Sequence, residues 1–327
     1  MPETALIVAV TVQVALVALD LWDQRSSPTS NDERYSLAGP VLLILASLMF
    51  LAIQLLGDWL IPAGPRFFTA ARERWEQWTG APADAIELAG AAHVLLAAAV
   101  FYLAGFWDYW VHRAFSHSRW FWFTHEYHHL PNRVTVFMPG ILARPFAFVP
   151  AFLSSVAIAA TSYPWLTALG VSWTSLERML PVFLLIVTVL TASHSSYLRR
   201  WPSVHHVFRF AFITTPQEHL LHHAIDGDCN YGNFTTLWDR VFGTYRDPFD
   251  PAWQSVRVGL AYDQDFLGTL TAGRVKIPQR WRSRLRVARY CNLVEPVAEI
   301  ARDTYSVGGS ELDEGLLSKR DRTKAIA

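Results

Sequence analysis

Two short stretches carry the same three histidines: "HEYHH", with His125, His128 and His129, and "HLLHH", with His219, His222 and His223. On a helix, positions i, i+3 and i+4 share one face, so each triplet presents three imidazoles together, and two such helices facing each other can enclose a pair of metal ions. "HRAFSH" adds His112 and His117, and His194 closes an apolar run. At i and i+5 the first pair would lie roughly 140° apart on a continuous α-helix. Either the chain bends there, or the two imidazoles serve different ions. At this chain's histidine frequency, two HxxHH units arise by chance about once in several thousand sequences. Neutral imidazoles suit iron but also zinc, copper or nickel, so the pattern implies a metal site without naming the metal.

"HEYHH" also satisfies H-E-x-x-H, in which His125 and His129 bind zinc and Glu126 activates water in a metalloprotease. The second triplet has Leu220 where Glu126 stands, so the shared unit is HxxHH. A protease site uses one ion and about three protein ligands, which leaves six of these histidines without a role. A metal transporter is a further alternative, but its histidines would line a path through the apolar spans, and only His93 lies deep in one. His93, His205 and His206 lack ligand spacing and are expected outside the set. No catalytic side chain is expected beyond the metal ligands. Because a ligating imidazole needs its outer nitrogen held, Asp108, one turn before His112, and also Glu126 and Glu218 are candidates for that role. Asn230, Tyr231 and Gly232 read as a tight turn that positions the "LWDRVFGTY" segment, and Asp239 with Arg240 as fixing that segment.

The elements that must position these residues are apolar. The 327 residues are 52% hydrophobic and 17% charged, too apolar for an ordinary soluble domain of this size. Runs long enough to cross a bilayer, about 17 to 25 residues, cover 4–21, 37–56, 86–110, 145–169 and, least securely, 179–193. The first lacks a basic lead and a small-residue cleavage site and is expected to remain as a span. A hairpin of two crossings over 145–193 returns the chain to the side it left, so 112–144 and the chain from 194 onward are expected on one face. Arg113, Arg119, Arg133, Arg144, Arg199, Arg200 and Arg209 mark that face as cytoplasmic, although Arg66, Arg72 and Arg74 then fall outside. From about 244 the chain turns polar and reads as a tail with helical segments. Its basic stretch "RWRSRLRVAR" (280–289) suits a solvated or headgroup-facing surface. Cys229 and Cys291 form no CxxC pair, and formal net charge is zero. Neither a disulfide framework nor a nucleic-acid partner is expected. Only three lysines among 28 basic residues suggest a GC-rich bacterial genome.

Over roughly 85–250 the chain resembles the fatty acid hydroxylase and sterol desaturase superfamily of membrane-bound, histidine-rich di-iron oxygenases. The resemblance rests on "DYWVHRAFSH", "HEYHH", the His194 that follows a hairpin, and "TPQEHLLHHAIDGDCNYGNFTTLWDRVFGTY". It implies two iron ions held by His112, His117, His125, His128, His129, His194, His219, His222 and His223. It further implies O2-dependent oxidation of a lipid-like substrate (fatty acyl, sterol or isoprenoid): hydroxylation first, with desaturation or ether-lipid cleavage as variants. Some members have a further histidine where this chain has Leu198. With no haem segment attached, electrons are expected from a separate ferredoxin or cytochrome. The implied fold is an all-α integral-membrane one, four to five transmembrane helices with a cytoplasmic helical cap holding the dimetal site, in a bacterial cytoplasmic membrane. The expected division is 1–84 for the N-terminal spans and interfacial loop, 85–250 for the catalytic domain and 251–327 for the cytoplasmic tail.

Overall fold

The computed structural model describes residues 2–26, 91–130, 134–136, 180–225, 227–262 and 293–296, with shorter pieces within 70–80, 149–161 and 264–281. Among these residues no helix is long and apolar enough to cross a membrane. Helices α1 (Pro2–Ser26), α2 (Ala91–Trp110) and α4 (Leu180–Ala192) occupy three of the apolar runs, while 37–56 and most of 145–169 lie outside the described residues. α1 packs along α4. Its other side leaves Ile7, Val8 and Val14 exposed.

α2 is built from Ala, Leu and aromatic residues, and a core of Phe101 and Ala104 with Val189 of α4 and Phe234 fastens it in place. Gly105 lets the Thr235 methyl reach the α2 backbone, where any Cβ would collide with it. Trp238 of α8 (Leu237–Val241) donates its indole N–H to the Tyr102 carbonyl at 2.7 Å. At its C-terminal end α2 runs directly into a π-helical turn, Val111–Ser116.

The remaining elements are short. They comprise a 3₁₀ turn (Trp122–Thr124), α3 (Glu126–His129), α5 (Ser196–Arg199), α6 (Pro202–Phe208) and α7 (Pro216–His222). α7 starts with Pro216 at its first turn and a capping box in which Thr215 and Glu218 satisfy each other's backbone N–H groups. Its apolar side, Leu220 and Leu221, packs with Val134, Ala224, Cys229, Val256 and Val258. Val256 and Val258 belong to β1 (Ser255–Val258), which pairs antiparallel with β2 (Leu293–Pro296). An all-helical chain with a helical tail does not include this pair. Val-Arg-Val alternation over four residues suffices to turn two valines onto α7.

Candidate metal centre

The nine histidines singled out in the sequence converge, and they do so as two groups. His112, His117, His125, His129 and His222 form one, and His128, His194, His219 and His223 the other, with the ligand nitrogens of each group within 4.8 Å of one another. Each triplet is split between them: the stretch 125–129, ending in α3, sends its i and i+4 imidazoles to the first group and its i+3 imidazole to the second, and the stretch 219–223, at the end of α7, does the reverse. The groups abut where the His129 and His223 rings stack at 4.5 Å.

His112 and His117 fall in the same group because the backbone between them is not α-helical. The His117 N–H bonds to the His112 carbonyl at 3.1 Å, closing an i→i+5 turn. Residues five apart then lie one above the other, and the two rings stand 5.1 Å apart. His194 follows the C-terminal end of α4, so the ends of α2 and α4 meet at one site.

The nitrogen chemistry fits a metal. Three outer nitrogens donate to backbone carbonyls: His112 Nδ1 to Tyr231 (2.5 Å), His194 Nδ1 to Leu190 (2.7 Å) and His222 Nδ1 to Cys229 (3.2 Å). That tautomer leaves Nε2 with a lone pair directed inward. His125 Nε2 stands 2.9 Å from His112 Nε2 and 3.0 Å from His129 Nε2, and His219 Nε2 stands 3.0 Å from His194 Nε2 and 3.1 Å from His223 Nε2. One N–H can satisfy one such contact, so the others set lone pair against lone pair. A cation removes that repulsion. A metal–nitrogen bond of about 2.1 Å places adjacent ligand nitrogens about 3 Å apart, which is the spacing seen. Burial, followed by the neighbouring imidazoles with His129 first, pushes the His223 imidazole well below its ordinary range, so it stays neutral and able to ligate.

Residues 97–244, which contain all nine histidines, match the family model described as fatty acid hydroxylase. Among curated proteins, lathosterol oxidase of Rattus norvegicus is 29% identical over 140 residues, 43% of this chain and 41% of the relative. The chain therefore matches about two-fifths of that relative's length. No solved structure matches. Residues 97–244 thus resemble a fatty acid hydroxylase domain, and the two matches together support the fatty acid hydroxylase and sterol desaturase superfamily.

Within the matched residues, Asp108, Glu126 and Glu218, the carboxylates expected near the imidazoles, each receive donors of other kinds. Asp108 accepts the backbone N–H and side-chain amide of Asn233, at 2.9 and 2.8 Å. Asp239 accepts the N–H groups of Tyr231 (2.7 Å) and Gly232 (2.8 Å), and so fixes the turn as well as its own segment. Both carboxylates thus act one step out, holding the turn whose Tyr231 carbonyl receives His112. Asn230 adopts a left-handed backbone there, with φ 50°. A Cβ at Gly232 would collide with the Thr235 carbonyl. Burial pushes Asp239 up to about 6, against the pull of bonds from Thr244, Gly232 and Tyr231.

Glu218 caps α7, accepting from Thr215 N (2.9 Å), Thr215 Oγ1 (2.9 Å) and Tyr245 Oη (3.0 Å). Burial pushes it up to about 7. Glu126 Oε1 accepts from Tyr262 Oη (2.5 Å) and Gln264 Nε2 (2.9 Å), both beyond the matched residues. His205 and His206 join neither group. His205 is fully buried, 3.2 Å from Thr215 Oγ1, and burial lowers it to about 4. The side chain of His93 and all of Cys291 lie outside the described residues. Leu198, four residues after His194, sits in α5, and the group that His194 joins has four members against five.

Proposed function

We propose that the chain is an O2-dependent, membrane-bound oxidoreductase that hydroxylates a lipid-like substrate at a pair of iron ions. The observation that carries this reading is the partition of nine imidazoles into two adjacent groups of converging nitrogens. Iron and O2 come from the family, since the nitrogens alone also suit other transition metals. The pair of ions would supply the means of reducing dioxygen and oxidising a C–H bond. The five-histidine and four-histidine groups would hold one ion each. The carbonyls of Tyr231, Leu190 and Cys229 keep three of the rings in the ligating tautomer and orientation. Burial of the nine rings, eight of them almost completely, keeps bulk water from the site.

A membrane setting is supported by the apolar runs and by the exposed Ile7, Val8 and Val14 of α1. The arginine distribution supports a site on the cytoplasmic side. The rat relative's name makes a sterol the first substrate to try, with fatty acyl and isoprenoid lipids next and desaturation or ether-lipid cleavage as variants. The metalloprotease reading is disfavoured by the two donors on Glu126 Oε1 and by the size of the histidine set.

The test is a comparison of lipid extracts from expressing and non-expressing cells, followed by turnover of purified protein. A mass gain of one oxygen supports hydroxylation and a loss of two hydrogens desaturation. Purified protein should turn over only when a reduced ferredoxin or cytochrome accompanies O2. Turnover without any reductant would count against the assignment.

A further inference from the structure

The first helix ends in two carboxylates that the hydroxylase match does not include. Asp20 and Asp23 are buried, at 0% and 1% exposure, beside an otherwise apolar run. Asp20 Oδ1 accepts Ser195 Oγ (2.6 Å) and Tyr197 N–H (3.1 Å), and Oδ2 accepts Val136 N–H (2.9 Å) and Ser196 N–H (3.1 Å). Asp23 accepts Ser196 Oγ at 2.7 Å and pairs with Arg200. Four donors saturate one buried carboxylate, and three of them come from the residues immediately after His194. The fourth comes from Val136, seven residues after His129.

His194 is the one member of its group that lies on neither triplet. Its ring is held on one side by the Leu190 carbonyl of α4, and its backbone leads straight into the segment that Asp20 grips. Ser195 also caps α5 through Leu198 N–H, so the chain leaving His194 has little freedom once Asp20 is in place. We propose that Asp20 is a positioning residue for the metal centre: α1 clamps the 194–197 turn and the chain beyond α3 so that His194 meets His128, His219 and His223. The inference rests on the dimetal reading above, and it makes the N-terminal helix part of the site's construction.

The test titrates Fe(II) anaerobically into metal-free, full-length protein in detergent, against a competing chelator. The variants are Asp20→Asn, His194→Ala, the double variant and Asp20→Glu. Removing a partner that orients a ligand weakens metal binding about 10- to 100-fold, and Asp20→Asn should do so, with partial recovery in Asp20→Glu. If Asp20 acts through His194, the double variant binds no more weakly than His194→Ala alone. Additive losses, or unchanged affinity in Asp20→Asn, overturn the proposal. Should Asp20→Asn not fold, Ser195→Ala, which removes one donor to Asp20, carries the same cycle with a smaller loss. Wild-type protein that takes up no iron, or His194→Ala that binds as wild type, instead overturns the dimetal reading itself.

Discussion

Glu126 separates two chemistries at a single side chain. A metalloprotease needs its carboxylate as a base, so Glu126→Gln would keep metal and lose nearly all turnover. In the arrangement seen, Oε1 only receives Tyr262 and Gln264, and a glutamine oxygen can receive the same two donors. Glu126→Gln should keep at least a tenth of wild-type lipid oxidation, and His219→Ala, more than ninety residues away, should have none. A dead Glu126→Gln with full metal and an active His219→Ala would reverse the assignment. His205 allows a second test. Its folded-state value of about 4 lies below the ordinary 6.5, so its contribution to stability is complete above about pH 6.5 and is lost as pH falls toward 4. Wild-type stability should therefore fall relative to His205→Gln across that window, by at most a few kcal/mol, in thermal melts of the two proteins. Glu218, pushed up to about 7, acts in the opposite sense and is common to both proteins. His205→Gln with His206→Gln should keep about two ions per chain.

At the scale of elements, the NYGN turn at 230–233 holds His112 through a backbone oxygen, and Asp239 holds the turn. Asp239→Asn places an amide against two buried N–H donors, which costs about 1–3 kcal/mol and should weaken iron binding measurably in chelator competition. Unchanged affinity would show that the turn keeps its form without the charge. A structural part for Asp239 was legible in the sequence, but as a fastener of its own segment and not of the 230–233 turn. The acceptor for His112 was not, because a carbonyl belongs to every residue and leaves no mark in residue type. The two triplets were legible because a period of three and four is a property of residue types, whereas His112, His117 and His194 joined them through the resemblance of the surrounding motifs. The i→i+5 turn at 111–116 was not, since "VHRAFS" is as compatible with an α-helix. Asp20 does not stand out inside the run 4–21, because only tertiary contact shows what it receives. Asp108, Glu126 and Glu218 read as holders of outer imidazole nitrogens, but proximity in sequence to a histidine does not tell which way a side chain turns. The donors they receive come from Asn233, from Tyr262 and Gln264, and from Thr215 and Tyr245.

For the whole molecule, the division of labour between the two triplets matters more than their number. α3 and α7 each place imidazoles in both groups, so neither helix can settle for one ion without also setting the geometry offered to the other. On the two-ion reading, the first ion to enter would meet the cost of lining up both helices against the repulsion among the converging imidazole nitrogens. The second would find that cost already met, so loading is expected to be cooperative. Protein supplied with one equivalent of Fe(II) should consist mainly of empty and doubly loaded molecules, with few carrying a single ion, and native mass spectrometry would count them directly. A statistical mixture, about half the molecules holding one ion, would mean that the groups fill independently. If loading is cooperative, activity under iron shortage tracks the fraction of chains that are full, and a cell short of iron keeps fewer working enzymes instead of many half-built ones.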